Sequence, residues 1–493
     1  MNDFSYYLKS LNEFGIATQV NHPIVGATGL PKAKLHEIVL FESGQQGQIF
    51  ELYADHVEIL VMSQERITVG TKLVRTNRTL SLMVGDGLLG HSINPLGTNI
   101  NTNEAPFPDF SEERPIDVKP LGIPNRARVR KMFETGTAIV DMLVPLGKGQ
   151  KELIIGDRKT GKSSFLFTTI KKQILSGAIA IYAVIGKQKT DIKHVQEFLA
   201  KEKLLDRTVV VATASNDSPG LIYLTPFAAI TIAEYFRDRG EDVLLVLDDL
   251  TTHARFYREI SLLIKNFPGR DSYPGDIFYT HAKLLERAGS FTHPTKGDVA
   301  ITCLPIVETV EGDLTNYIVT TLMGITDGHI FFDSNIFYNG RRPAINTAIS
   351  VTRVGKQTQS DVERSITREL NSFLNLYEKM QNLSHFGAEL TDNVKNILSM
   401  GEKIYLFFEQ HYTVIIPKEV QLILFSLLWI RLIDPDKTAL EEIRTALIKE
   451  FTEKEEVKQL FDEIMQAKNF NELLRNVSLQ KERILAIWKT NTN

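Results

Sequence analysis

The sequence contains very little cysteine: Cys303 is the single cysteine among 493 residues. One thiol cannot form an internal disulfide, so a disulfide-stapled fold is excluded and the composition fits a reducing cytosol. The histidines are scattered and do not cluster with cysteine or acidic residues, so we expect no structural metal site.

Long apolar runs are also absent. The most apolar stretch near the C-terminus, 420–433, is interrupted by Gln421 and Arg431 and is too short to span a bilayer, so we expect a buried helix there. The first seven residues, MNDFSYY, have neither the basic region nor the apolar run of a signal peptide. The net charge of −4 provides no general basic field for nucleic acid or an anionic membrane. We therefore expect a cytoplasmic protein that binds no nucleic acid.

The length favours about three domains. From residue 15 to 73, short β-rich runs alternate with glycine-containing turns, which predicts a small β-barrel or sandwich. The region 89–132 is rich in Gly, Asn and Pro and is interpreted as connecting structure. We expect a multidomain chain: an N-terminal β-barrel at 1–75, a central α/β nucleotide-binding domain at 76–358 and a C-terminal α-helical domain at 359–493.

The central region alternates apolar strands with helical patterns, which is typical of a mainly parallel sheet covered on both faces. The predicted strands are 153–155, 179–185, 208–212, 243–247, 300–305 and 329–332. After about residue 355, apolar residues such as Val362, Ile366 and Leu370 recur at helical spacing, which indicates amphipathic helices.

The sequence GDRKTGKS at 156–163 fits the phosphate-loop pattern G-x-x-x-x-G-K-[ST]. A predicted strand precedes it and a predicted helix follows it. Such a loop converges backbone N–H groups and a helix N-terminus on phosphate oxygens. Lys162 would then contact the β- and γ-phosphates, and the Ser163 hydroxyl would be a Mg²⁺ ligand. The alternative is an ordinary turn between a strand and a helix.

The apolar strand 243–247 ends in Asp248 and Asp249. A carboxylate at a strand end beside a phosphate loop can anchor the water shell of Mg²⁺, and Asp248 is the better candidate because it is the first to leave the strand. Hydrolysis also requires a group that polarises the attacking water and a cation that stabilises the transferring phosphoryl group.

Several segments resemble the alpha (non-catalytic) subunit of the F1-type rotary ATPases. They are ELIIGDRKTGKSS at 152–164, PGRDSYPGD at 268–276, LLERA at 284–288, LPIVET at 304–309, ITDG at 325–328 and RPAIN at 342–346. The resemblance extends from about Gly15 to the C-terminal helices. It implies a β-barrel, a RecA-like P-loop domain and a helical domain, in a hexamer that alternates alpha-type with catalytic beta-type subunits around a gamma-type shaft. The segment 267–273 resembles the part of the collar that surrounds the shaft.

The resemblance also implies roles for single residues. After the glycine that ends the strand 179–185, the catalytic beta subunit has a Glu that activates water, and the alpha subunit has Gln. This chain has Lys187, which cannot act as a base while protonated. The alternative is a solvated loop lysine with the base elsewhere. The segment SVTRVG at 350–355 matches the arginine-finger segment of alpha, so Arg353 would reach the γ-phosphate in a neighbouring beta-type subunit; an isolated arginine would otherwise be a surface charge.

By the same resemblance, the chain would bind ATP or ADP with Mg²⁺. The metal ligands would be Ser163 and Asp248. The predicted nucleotide-binding residues are Arg158, Lys159, Thr160, Gly161, Lys162, Ser163, Ser164, Asp248, Glu308, Phe337, Arg342 and Pro343.

The chain departs from the usual alpha pattern at five positions. Lys159 and Lys187 stand where Gln is usual, Gly324 replaces a serine, and Glu409 and His411 replace two glutamines beside the adenine. The segment before Gly15 is shorter than the stalk-binding extension of the family. These departures resemble diverged F1-like complexes of wall-less bacteria, which can serve purposes other than ATP synthesis, including surface motility.

The sequence therefore predicts a nucleotide-binding, non-catalytic alpha-type subunit of an F1-like ATPase, which contacts a membrane only through its complex. One alternative is a self-sufficient homohexameric RecA-like ATPase of the secretion or translocase type, which would need a carboxylate at position 187. The other alternative is a purely structural ring subunit that binds no nucleotide, although the GKS at 161–163 argues against it.

Overall fold

The computed structural model describes residues 4–102, 112–385 and 391–489. The chain divides into two compact units. The first unit comprises Met1–Arg128, Gly149–Arg158 and Gln173–His329, and the second comprises Val129–Lys148, Lys159–Lys172 and Ile330–Asn493. The boundary between the units falls within the phosphate loop, between Arg158 and Lys159.

A closed six-stranded antiparallel barrel forms the N-terminal part of the first unit, which confirms the predicted β-barrel. Its interior is filled by apolar side chains that include Val25, Val39, Phe41, Ile49 and Ile59. In the strand Glu37–Phe41, which carries Val39 and Phe41, buried and half-buried positions alternate. In barrel order the strands are Gly15–Asn21, Ile24–Thr28, Val57–Val61, Gln46–Leu52, Glu37–Phe41 and Lys72–Thr79.

The first unit also contains a parallel sheet. Its strands are nearly continuous apolar runs because both faces are covered, and this burial confirms the central α/β prediction. In spatial order the parallel strands are Glu152–Gly156, Gly297–Glu308, Val243–Asp248, Ile179–Lys187, Thr208–Ala214 and Ser92–Ile93, and Gly289–His293 runs antiparallel to Gly297–Glu308. The helices of this unit are Phe4–Leu11, Lys189–Lys201, Pro219–Asp238, Leu250–Leu263, Ile277–Leu285 and Tyr317–Ile325.

The strand register places chemically active side chains at one edge of this sheet. Gly156 pairs with Glu308, and Val184 pairs with Asp248. Lys187 lies three residues beyond Val184, at the end of the same strand. Because carboxyl ends of parallel strands share one edge, the loop start, two carboxylates and a lysine come together.

Arg287, which belongs to the LLERA segment, is a buried structural residue. Its guanidinium contacts Glu234 at 2.6 and 3.1 Å and donates to the Ile116 carbonyl at 2.8 Å. Only 1% of its side chain is exposed. The bidentate pair therefore joins the helix Pro219–Asp238 to the end of Ile277–Leu285.

The second unit is mainly helical, which confirms the predicted C-terminal helices. Val362, Ile366, Leu370 and Tyr377 form the buried face of a long helix, as their spacing predicted. The helix Lys162–Leu175 begins in this unit and continues into the first at Gln173. The other helices are Ala138–Leu143, Ser334–Tyr338, Asp361–His385, Asp392–Phe408, Lys418–Trp429, Lys437–Glu453, Glu455–Met465, Phe470–Leu479 and Lys481–Lys489. Its short strands are Met132–Phe133, Leu146–Gly147 and Val351–Thr352, and the strand Gly328–Phe332 begins in the first unit.

One interpretation of the sequence needs correction. The charged run Glu112–Pro115, expected to be connecting structure, is a strand that pairs antiparallel with Ser81–Val84. Ser92–Ile93, in the same region, is the edge strand of the parallel sheet. Both segments are strands because their backbones pair with neighbouring strands. Neither has the alternation of apolar and polar residues that predicts a strand from sequence. None of the described helices is long and apolar enough to cross a bilayer.

We expect Gly401→Ala to destabilise the second unit. Gly401 lies in the helix Asp392–Phe408 against the ring of Tyr377, and an added Cβ would lie 1.9 Å from the Tyr377 Cδ2 atom. Overpacking of this kind costs about 1 to 3 kcal/mol. Urea unfolding of the full chain should show a lower midpoint.

The matched control is Gly324→Ala. Gly324 lies in the helix Tyr317–Ile325, and no atom lies within 4 Å of an added Cβ. Alanine favours a helix over glycine by roughly 0.5 to 1 kcal/mol, so this variant should be at least as stable as the wild type. Equal stability of Gly401→Ala and the wild type would contradict the packing described.

Candidate nucleotide-binding site

The phosphate loop has the local structure that its pattern predicts. The buried strand Glu152–Gly156 leads into the loop, and the helix Lys162–Leu175 follows it. Gly161 has φ 98°, in the left-handed region that favours glycine. Lys162 is buried and Ser163 is exposed at the start of the helix. The first turn of this helix thus offers backbone N–H groups to an anion.

Asp157 and Arg158 fasten the start of the loop to the end of a neighbouring strand. The Asp157 carboxylate accepts hydrogen bonds from the Thr309 hydroxyl at 2.7 Å and the Gly312 N–H at 2.9 Å. The Arg158 Nε donates to the Glu308 Oε2 at 2.7 Å. The Arg158 side chain remains 71% exposed, so its guanidinium is also accessible to a phosphate.

Lys187 lies at the centre of three carboxylates at the sheet edge. Its Nζ is 3.1 Å from the Asp248 Oδ1, 2.5 Å from the Asp249 Oδ2 and 3.1 Å from the Glu308 Oε1. The lysine side chain is 18% exposed, and that of Asp249 is fully buried. An ammonium group has three N–H donors, so each carboxylate can receive one.

The remaining carboxylate oxygens also have protein partners. The Tyr182 hydroxyl donates to the Asp248 Oδ2 at 3.0 Å, and Arg158 donates to the second oxygen of Glu308. The Asp249 Oδ1 accepts from the Thr252 N–H at 2.6 Å and caps the helix Leu250–Leu263. All six oxygens of the three acidic side chains are therefore engaged.

The pKa values reflect this crowding of charges. Burial opposes the charge of Lys187, but the three carboxylates outweigh burial and raise the pKa of Lys187 well above its ordinary value. Burial raises the pKa of Asp248, despite Lys187 and Tyr182. Burial also acts to raise the pKa of Glu308, but Lys187 and Arg158 outweigh it and lower that pKa. A lysine held in this way keeps its proton at neutral pH and cannot accept one from water.

Mg²⁺ fits the predicted ligands only in part. The Ser163 hydroxyl is exposed at the helix start, where the pattern requires it. Each Asp248 oxygen already accepts from Lys187 or Tyr182, so a metal-bound water would have to share it with that donor. Within the described parts of the chain, no group of three or more histidine, cysteine or acidic side chains is placed to hold a metal ion.

The residues predicted beside the adenine lie together in the second unit. The Arg342 guanidinium stacks 3.4 Å from the Phe337 ring centroid, and Pro343 follows in a cis peptide bond. The two unusual residues, Glu409 and His411, are held separately. Glu409 pairs with Lys437 at 2.7 Å, and a His411 ring nitrogen lies 2.7 Å from the Thr413 hydroxyl.

The segment that carries Arg353 is anchored by its neighbours. The Thr352 hydroxyl donates to the Pro145 carbonyl at 2.8 Å and accepts from the Gly355 N–H at 3.1 Å. A Cβ on Gly355 would lie 1.6 Å from the same carbonyl oxygen, so only glycine fits. The Arg353 side chain is exposed between these two fixed residues.

Sequence reasoning assigned no site role to two residues of the carboxylate cluster, Tyr182 and Asp249. Tyr182 lies within a continuous apolar strand and carried no signal. Asp249 was named only as the weaker candidate beside Asp248, although an Asp before Leu-Thr-Thr is a common helix N-cap pattern. The structure brings Lys187 together with Asp248 and Glu308, whose mutual contact was not predicted.

Comparison with known proteins gives the family. The sequence model of the ATP synthase alpha/beta family, nucleotide-binding domain, matches residues 136–352, and that of the ATP synthase alpha/beta chain, C terminal domain, matches residues 359–481. The ATP synthase subunit alpha of Carsonella ruddii is 38% identical over 409 residues, covering 81% of this chain and 84% of the relative. The ATP synthase subunit alpha 1 of Chlorobium luteolum is 39% identical over 421 residues, covering 85% and 81%. The ATP synthase subunit alpha of Petrotoga mobilis is 39% identical over 412 residues, covering 82% of this chain and 81% of the relative. With both family models matched and alpha subunits among the relatives, the chain belongs to the ATP synthase alpha/beta family.

Proposed function

We propose that this chain is the nucleotide-binding, non-catalytic alpha-type subunit of an F1-like rotary ATPase. The observation that supports this most directly is the position of Lys187. It stands where the resemblance places the water-activating Glu of the catalytic subunit, and its ammonium is paired with Asp248, Asp249 and Glu308. A protonated lysine cannot activate water, so this chain would retain a nucleotide without hydrolysing it.

The proposed ligand is ATP or ADP. The residues Arg158, Lys159, Thr160, Gly161, Lys162, Ser163 and Ser164 would hold the phosphates, with Asp248 and Glu308 nearby. Phe337, Arg342 and Pro343 would lie beside the base. The stacked Arg342 and Phe337 form a flat surface of the kind that purines contact.

Arg353 would act on a neighbouring subunit. Its exposed side chain extends from a segment fixed to Pro145 through Thr352 and Gly355, so its backbone is held at the surface of the chain. Planar guanidinium groups bind phosphoryl oxygens with two donors at once. In a beta-type neighbour, this charge would stabilise the phosphoryl group during transfer.

The proposed assembly is a hexamer in which this chain alternates with a catalytic beta-type subunit around a gamma-type shaft. The complex would lie in the cytoplasm, at the inner face of the cell membrane, and would drive a process other than ATP synthesis. The proposed domain boundaries are those predicted from the sequence, 1–75, 76–358 and 359–493.

We expect Arg353→Ala to abolish ATP turnover by the assembled complex. Loss of an arginine finger costs about 10³- to 10⁵-fold in rate. The steady-state rate should fall by that factor while the assembled complex still elutes as a hexamer. The matched control is Lys356→Ala, which removes another exposed cation from the same segment and should leave the rate unchanged. Near-normal hydrolysis by Arg353→Ala would refute the finger role.

We expect the purified chain alone to retain nucleotide and to show no hydrolysis above background. Nucleotide released on denaturation would be quantified by chromatography, and phosphate release would be measured on the same sample. Lys162→Ala should lose the bound nucleotide because it removes the phosphate-contacting ammonium. Robust turnover by the wild type that disappears in Lys162→Ala would instead favour the self-sufficient homohexameric ATPase.

A further inference from the structure

Three acidic side chains of the type that help to hold a divalent cation surround the Lys187 ammonium. Mg²⁺ is usually held through one or two carboxylates, water and substrate phosphates. Here Asp248, Asp249 and Glu308 all direct an oxygen at one Nζ, at distances of 2.5 to 3.1 Å. A metal-bound water would have to share these oxygens with the lysine, and the metal would be repelled by the ammonium charge.

The charge balance of the sheet edge also disfavours a second cation beside Lys187. Three carboxylates face two cations, Lys187 and Arg158, which leaves one formal negative charge. With glutamine at position 187, two negative charges would remain beside an incoming triphosphate. A divalent cation would then be needed to offset the repulsion.

The lysine is held in place by its backbone. Its carbonyl accepts a hydrogen bond from the Ser215 N–H at 2.8 Å, and Lys187 pairs with Ala214 of the neighbouring strand. The preceding Gly186 has φ 58°, and an added Cβ there would lie 3.1 Å from Ile222 and from Thr252. These contacts fix the backbone, and the three carboxylates fix the ammonium, so the charge is positioned before any ligand arrives.

We propose that the Lys187 ammonium takes the place of Mg²⁺ in this subunit, so that the chain binds ATP or ADP without a divalent cation. This inference rests on the proposed function as a nucleotide-binding subunit. It makes position 187 the determinant of metal dependence: glutamine requires a metal, and lysine supplies a fixed charge.

The test is an equilibrium titration of the full chain with a fluorescent methylanthraniloyl derivative of ATP, in excess Mg²⁺ and in EDTA. The wild type should bind with dissociation constants that agree within about twofold in the two buffers. Lys187→Gln should bind about tenfold or more weakly in EDTA than in Mg²⁺. Lys187→Arg keeps the charge and should retain metal-independent binding.

The matched control is Lys189→Gln, which removes an exposed lysine two residues further along the chain. It should behave as the wild type in both buffers. Thermal unfolding of each variant shows whether it is folded, and the wild-type comparison tests the inference without any variant.

Two outcomes separate the inference from the proposed function. Binding by the wild type in Mg²⁺ but not in EDTA would overturn the role of Lys187 while leaving the nucleotide-binding function standing. Absence of binding in both buffers would overturn the proposed function, and the inference with it.

Discussion

The pairing of one lysine with three carboxylates is the interaction on which the sheet edge depends. Parallel register brings Asp248 and Glu308 to the same edge, and Asp249 is fully buried beside them. Buried carboxylates without a cation are strongly destabilising. Lys187 removes that cost by donating to all three, so the same contact holds the strand ends together and sets their charge.

In each unit, hydrogen bonds and close packing fix the backbone segment that carries an exposed arginine. In the first unit, Asp157 holds the loop start through Thr309 and Gly312. In the second unit, the Pro145 carbonyl fixes Thr352, and Gly355 fits closely against the same carbonyl oxygen. Arg158 and Arg353 leave these anchored segments with exposed side chains. An exposed guanidinium on an anchored backbone is an arrangement that can bind an anion at low entropic cost.

Local patterns predicted the elements well and their contacts poorly. Each of the six predicted apolar runs in the central region lies in a strand, and the GKS of the phosphate loop located the start of a helix, because these signals lie within a few residues of one another. The strands Ser92–Ile93 and Gly289–His293 were not predicted. The paired strand Glu112–Pro115 was missed, since its stability comes from Ser81–Val84 and not from its own composition. The Lys187 contacts were missed for a similar reason: its partners lie about 60 and 120 residues away, and only strand register brings them close.

The substitution of a basic residue at position 187 has two consequences that cannot be separated. A general base needs an unprotonated lone pair, and the carboxylates around Lys187 stabilise its protonated form. Those same contacts offset part of the negative charge of the acidic strand ends. A neutral glutamine would remove the base without supplying charge, whereas lysine does both. One side chain, placed by the register of the strands beside it, therefore determines both the absence of a base at position 187 and the charge of this sheet edge.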